Sequence, residues 1–269
     1  FVACERPVSN DDDAQIVPLA RLLRYFRDPA ADLLRDRLKL RLDALEDDQG
    51  TQREPLTAKP DPLAQLPQQL LTTSLVRGEF TTPAQAPDWL RLSGQLPAGA
   101  LGRQAYRAMA DQVDALLQVA SDDPDLAHGL PPRAPVAIDL MLGACRVQGT
   151  VARVHADASG WLLFHAFPGK ALADLDFRQR LPLFIEWALL RLAHPEQPLR
   201  VCLLTTPKKD KTLRWDAMLN AVDPVARRDD LEHRLLRLIA LWQSAEQHPL
   251  AYLPKTAWAA ATHDDERRM

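Results

Sequence analysis

Apolar positions fall into two rhythms along this chain. Over residues 19–26 they recur at helical spacing (Leu19, Leu22, Leu23, Phe26), the steps that place side chains on one helix face. Asp28-Pro29 restarts the chain, since Asp suits an N-cap and Pro the first helical position. It predicts a second helix to about residue 40 that buries Leu33, Leu34 and Leu38. An acidic, then proline-bearing stretch over 43–62 predicts a loop. Further helices are predicted over 63–76 with a stop at Gly78, as a short turn over 88–92, and over 99–119. The last carries the apolar line Leu101, Ala105, Met109, Val113, Leu116 and Leu117.

The rhythm changes after a loop over 121–135. Three β-like stretches, 136–142, 145–155 and 160–167, are separated by the turn signals Gly143-Ala144 and Ala158-Ser159-Gly160. They predict an antiparallel meander. A helix is predicted over 177–193, and the apolar run 199–206 between Pro198 and Pro207 predicts a buried strand. A basic loop (Lys208, Lys209, Asp210, Lys211) and a brief strand over 213–215 follow. An amphipathic helix over 231–247, lined by Leu231, Leu235, Leu238, Ile239 and Trp242, ends at Pro249. This order predicts an α/β core preceded by a helical part. Residues 1–15, with Asp11-Asp12-Asp13, are expected to be a linker from preceding domains, 16–258 a domain, and 259–269 a polar tail or truncation. The chain opens on Phe1 rather than Met, and is expected to be a piece of a longer polypeptide.

Charge and composition narrow the chemistry. The net charge is −3, from 33 basic and 36 acidic residues, which is not the basic excess of a free-standing nucleic-acid binder. Any such contact must be a local patch or be shared with a partner. Cys4, Cys145 and Cys202 are far apart and form no Cys-x-x-Cys pair, a usage that fits the reducing cytoplasm and offers no zinc or cluster ligand set. No apolar run reaches the length of a membrane span. His155, His165, His194 and His248 make no metal-binding pair, and neither a phosphate-binding glycine loop nor a nucleophile elbow is present. Two features are candidate DNA contacts. One is Lys208, Lys209 and Lys211 with Arg214 behind them; the other is Trp161 after a hairpin turn, where an aromatic could wedge between bases. Arg24, Arg27, Arg35, Arg37, Lys39 and Arg41 form a further basic run.

Several stretches together carry a family resemblance: Leu22-x-x-Tyr25-Phe26-Arg27-Asp28-Pro29 through Leu38, Pro97-Ala98-Gly99-Ala100-Leu101-Gly102, Gln148-Gly149-Thr150-Val151, Trp161-Leu162-Leu163-Phe164, Pro249-Leu250-x-x-Leu253-Pro254 and Ala257-Trp258. In order and spacing they resemble the C-terminal region of the RecC family, the gamma chains of exodeoxyribonuclease V, over about residues 16–258. The resemblance implies a PD-(D/E)xK nuclease-like fold, a mixed central sheet flanked by helices with a helical N-terminal part. It implies the beta and alpha subunits (RecB and RecD) and DNA ends as partners. It also implies roles in strand separation, strand routing and subunit docking, with Mg²⁺ and ATP held by other subunits.

Metal-dependent phosphodiester hydrolysis needs hard oxygen ligands and, as a rule, a nearby lysine. Where the active relatives carry a histidine in the helix after Gly-x-x-x, this chain has Arg103. Where they carry the first aspartate it has Ala152. At the carboxylate and lysine positions of the next strand it has His165 and Phe167. Arg180 and Phe184 stand for the Gln and Tyr of the following helix. The site is therefore expected to be degenerate: the domain does no cutting itself but belongs to an ATP-dependent exodeoxyribonuclease complex. Two alternatives remain open: an active exonuclease with ligands relocated to Asp139, Asp157 or Glu186, and an adaptor with no DNA contact. Glu186, on the 177–193 helix, is expected to be solvated.

Overall fold

The computed structural model describes residues 15–37, 39, 60–206, 212–214, 224–245 and 252–266. In chain order the elements are β1 (Gln15–Pro18), α1 (Leu19–Arg27), α2 (Pro29–Asp32), a π-helical turn (Leu33–Arg37), α3 (Pro60–Arg77), α4 (Asp88–Leu92), α5 (Gly99–Ser121), β2 (Val136–Leu142), β3 (Cys145–Val151), β4 (Val154–Asp157) and β5 (Gly160–Phe167). A 3₁₀ turn (Leu172–Asp174), α6 (Phe177–Ala193), β6 (Leu199–Thr205), β7 (Thr212–Arg214), α7 (Pro224–Ser244) and α8 (Pro254–Glu266) complete them. The chain is mixed α/β, as its pattern predicted.

The strands form two small mixed sheets rather than one, in the orders β1-β3-β2 and β4-β5-β6-β7. The division falls inside the stretch 145–155, read above as one strand. Val136 pairs with Val151, yet Arg133 bridges His155. The backbone from 151 to 155 is thus one residue longer than the segment facing it, which is a β-bulge at Ala152–Arg153. Residues 132–134 still bond to β4, through Ala134 N to Val154 O at 2.8 Å and Ala156 N to Pro132 O at 3.0 Å. The two sheets are therefore a bent ribbon that changes direction at the bulge.

Helix packing explains the strand sequences. In β5, Leu163 belongs to a core shared with α1, α6 and α7, while Leu162, Phe164 and Ala166 belong to a second core built from α3 and α5. β6 divides in the same way, with Val201 and Leu203 on one side and Cys202 and Leu204 on the other. Strands covered on both faces read as continuous apolar runs, and these two do. β2 is covered on one face, so Ala137, Asp139 and Met141 are exposed between buried neighbours.

Helix α6 lies deepest. Asp176 caps it by accepting from Arg178 N at 2.8 Å, and Gln179 returns a bond to Asp176 N at 3.1 Å, a reciprocal capping box. Pro182, Leu183 and 185–190 are all buried, so the helix is enclosed on most sides by α1, β2, α7 and α8. Asp28 caps α2 through Ala31 N with Pro29 at its first position, as the sequence predicted. It also meets Arg178 of α6 at 3.2 Å, which ties the Phe-Arg-Asp-Pro joint to the central helix.

Four expectations need correction. Gln15, expected to end the linker, is the first residue of a strand: Gln15–Pro18 adds to β3 in parallel, in register Gln15–Cys145 through Pro18–Gln148. The second helix runs as α only to Asp32 and continues as a π turn; Leu33 and Leu34 are half-buried, and Leu38 lies outside the described residues. In α5, Leu101 is 49% exposed and Ala105 half-buried, while the predicted Met109, Val113, Leu116 and Leu117 are buried together with Tyr106. Residues 259–266 continue α8, which Trp258 anchors edge-to-face on Phe177 with centroids 5.1 Å apart.

Gly149 shows how closely α1 lies on β3. A Cβ at this position would come within 2.6 Å of Leu19 Cβ, closer than side-chain carbons can approach. Gly149→Ala is expected to lower stability by about 1–3 kcal/mol, read as a lower urea midpoint. An unchanged midpoint would show that the contact yields freely.

Candidate functional site

The bulge turns Arg153 inward. One of its guanidinium nitrogens, Nη1, lies 2.9 Å from Nδ1 of His165 on β5. Arginine can only donate, so Nδ1 accepts and the imidazole proton sits on Nε2. That nitrogen is 2.9 Å from Oε2 of Glu186, on α6. The approach lies off the ideal hydrogen-bond direction, so the contact is electrostatic as much as a directed bond. His165 is 3% exposed and the Glu186 side chain 9%, so the solvated position expected for Glu186 is wrong. The enclosure of α6 leaves its carboxylate little access to water.

The charges within this set balance. Burial pushes the His165 imidazole below its ordinary range, which keeps it neutral. Burial alone would raise the Glu186 carboxyl, but the contact with His165 and the positive charge of Arg153 outweigh it and hold the group low. A guanidinium and a carboxylate thus face each other across a neutral imidazole. This donor set does not fit a divalent nuclease metal. Its one carboxylate is already neutralised, and a fixed cation stands beside it, where Mg²⁺ requires several free oxygens. Among the described residues no three His, Cys, Asp or Glu side chains converge on a metal-sized position.

The other sequence candidates are scattered. Ala152 is exposed at the bulge, and Phe167 stacks on His165 with centroids 6.3 Å apart. Arg103 is exposed on α5. Arg180 donates to the carbonyls of Leu175 and Leu172 and lies 4.6 Å over the Trp258 ring, a structural position. Phe184 packs on Trp187 at 6.0 Å. Asp139 pairs with Arg146 at the surface, and Asp157 meets Arg200 at 3.1 Å, so neither joins Glu186 in a ligand set. Trp161 is half-buried with its ring edge on His194 at 5.0 Å; it does not stand at the tip of the hairpin. That turn is held by Arg200, which bonds Asp125, Asp157 and Ser159. Lys208, Lys209 and Lys211 lie outside the described residues, as does the side chain of Arg214. Of the basic run, Arg24 pairs with Asp32 at 3.0 Å, and Arg41 lies outside the described residues.

Beside the bulge opens a cleft of about 610 Å³ lined by Arg27, Arg133, Arg153, His155, Phe164, Trp89 and the α3 residues Gln68, Gln69, Thr72 and Thr73. Among the described residues its lining includes no acidic side chain. His155 Nδ1 donates to the Pro131 carbonyl at 2.8 Å, and burial lowers its pKa despite that bond. Sequence reading placed Arg27 in a basic run but had no signal for Arg133, Arg153 or Trp89, which are distant in the chain and share no spacing.

The pattern of the RecC C-terminal domain matches residues 14–265. This chain belongs to that family. Membership sets it in the context of the exodeoxyribonuclease V gamma subunit, the RecBCD complex and DNA repair. No curated protein matches it. No helix among the described residues is long and apolar enough to cross a membrane.

Two outcomes follow from the buried set. Glu186→Ala leaves the Arg153 charge without its anion and is expected to cost about 3–5 kcal/mol, measured by urea denaturation. A loss within error of zero would mean that water reaches the site. For pH, His155 and His165 both have lowered pKa values when folded. Below the ordinary value of about 6.5 the unfolded chain therefore binds protons that the folded chain does not. The stability contribution is complete above that pH and is lost on acidification. Denaturation at about pH 8 and about pH 5.5 should show the lower stability at the acidic point, and a reversed order would contradict the neutral imidazoles.

Proposed function

We infer that this chain is a non-catalytic, nuclease-like domain of an exodeoxyribonuclease V gamma subunit. In this reading it helps to separate and route DNA strands and docks the beta and alpha subunits during double-strand break repair and recombination. The observation that carries the reading is the Arg153–His165–Glu186 set. Its His165 stands at one of the three positions (Ala152, His165 and Phe167) where the resemblance expects two carboxylates and a lysine, Arg153 follows another, and the cation beside its one carboxylate disfavours a metal.

The order of elements supports the nuclease-like comparison: a long helix α5, a meander β2 to β5, then α6 crossing over to β6, which runs parallel to β5. The basic cleft at the bulge supports contact with an anionic polymer. Mg²⁺ and ATP are assigned to the partner subunits, and the compartment to the cytoplasm, in keeping with the sparse cysteines. The proposed layout is a linker ahead of β1 and a nuclease-like domain that runs from β1 through α8.

The test is incubation of the purified chain with end-labelled DNA and either Mg²⁺ or Mn²⁺. No cleavage is expected. Cleavage that disappears in Asp157→Ala would establish an active exonuclease with relocated ligands and overturn the reading. Reconstitution of a full-length gamma chain with its beta and alpha subunits tests docking, which is expected to depend on this domain.

A further inference from the structure

Two of the three positive charges in the cleft have no carboxylate partner among the described residues. Among the described residues, neither Arg27 nor Arg133 forms an ion pair with a carboxylate, although both side chains are exposed and carboxylates elsewhere pair with Arg24, Arg91, Arg146, Arg178, Arg200 and Arg234. The cations come from three separate places: the end of α1, the loop before β2, and the bulge. Burial lowers the Arg153 pKa, Glu186 opposes that, and the nearby charges of Arg27 and Arg133 add to the lowering. Glu186 balances Arg153, so the two outer guanidiniums are the charges an incoming anion would neutralise.

The remaining walls point to the kind of anion. Trp89 is 38% exposed and has no aromatic partner among the described residues, so part of its side chain is open to a ligand. Gln68, Gln69, Thr72 and Thr73 offer both donors and acceptors along one side of α3. Guanidiniums for phosphate, a partly exposed aromatic for a base, and amides for base edges make up the set that single strands use. The volume fits a short unpaired segment, since cavities of about 300–1,000 Å³ hold drug-sized ligands.

We propose that the cleft bounded by Arg27, Arg133, Arg153 and Trp89 binds single-stranded nucleic acid, with phosphates on the two exposed arginines and a base on the tryptophan. The proposal rests on the DNA-handling function inferred above and assigns it a location. The buried set gives this location a second property. Glu186 and His165 fix Arg153 from behind, so the innermost cation is held in place before a strand arrives.

The probe is a fluorescein-labelled oligothymidylate, with anisotropy measured against the full 269-residue chain at several salt concentrations. The Arg27→Ala/Arg133→Ala double variant should bind about tenfold or more weakly at low salt. Its log–log salt dependence should be shallower by about 1.4, or about 0.7 for each phosphate that is no longer neutralised. Trp89→Ala should weaken binding by about 5- to 150-fold while leaving the salt slope unchanged. Arg234→Ala, which removes an exposed arginine on α7 outside the cleft, is expected to bind as the parent does. Matching urea midpoints of parent and variants exclude misfolding as the cause.

Equal affinity in parent and double variant would overturn the proposal, as would competition by polyglutamate as effective as that by unlabelled oligonucleotide, which would mark the cleft as an acidic-peptide site. A parent chain that binds no oligonucleotide at low salt would overturn it too. The inferred function would then still be decided separately, by the cleavage and reconstitution assays.

Discussion

A single carboxylate inside a helix enclosed on most sides constrains the rest of the structure. Glu186 sits on α6 among Ile185, Trp187, Ala188 and Leu189, all buried, with the helix packed against α1, β2, α7 and α8. An isolated charge at such a depth would cost far more than a domain's net stability. The fold answers it with His165 from β5 and Arg153 from the bulge, so three elements must hold their registers together for the charge to be neutralised. Since an ion pair of this kind adds little net stability over an apolar replacement, its presence points to a role in placing Arg153.

The bulge at Ala152–Arg153 links the interior to the surface. One extra residue in the ribbon bends it, separates the two sheets, and turns Arg153 toward His165 while its neighbour Ala152 stays exposed. The same bend brings the 131–134 segment and the end of α1 to the rim of one cleft. The interior set and the basic cleft are therefore two faces of one backbone irregularity, placed where the family resemblance expects nuclease chemistry. In the proposed reading, a fixed cation stands where the resemblance expects carboxylate ligands, and the cleft suits phosphate rather than a metal.

Much of the architecture was legible from periodicity. The bounds of α6, β2 and β5 follow from apolar spacing and turn residues alone, and the Asp28-Pro29 restart is the cap that those residue types predict. Reading failed where burial depends on a distant segment. Gln15–Pro18 is too short to read as a strand until β3 supplies its hydrogen bonds. The stretch 145–155 alternates smoothly through its bulge, because an inserted residue shows only against the partner strand. Glu186 looks solvated on a helix drawn alone; four neighbouring elements bury it. Residues 259–266 look like a tail because their helix is anchored by one tryptophan upstream.

The candidate site divides along the same line. The sequence by itself determined what is absent, since Ala152, His165 and Phe167 could not supply two carboxylates and a lysine in any fold. It also determined the helix and strand segments, because those depend on neighbours in the chain. Tertiary structure decided what is present instead: that Arg153 and Glu186 meet on His165, and that Arg27, Arg133 and Trp89, drawn from three distant segments, share one cleft. The reason is physical. Local propensity acts over a few residues, whereas burial and the pairing of charge arise only when separate segments pack.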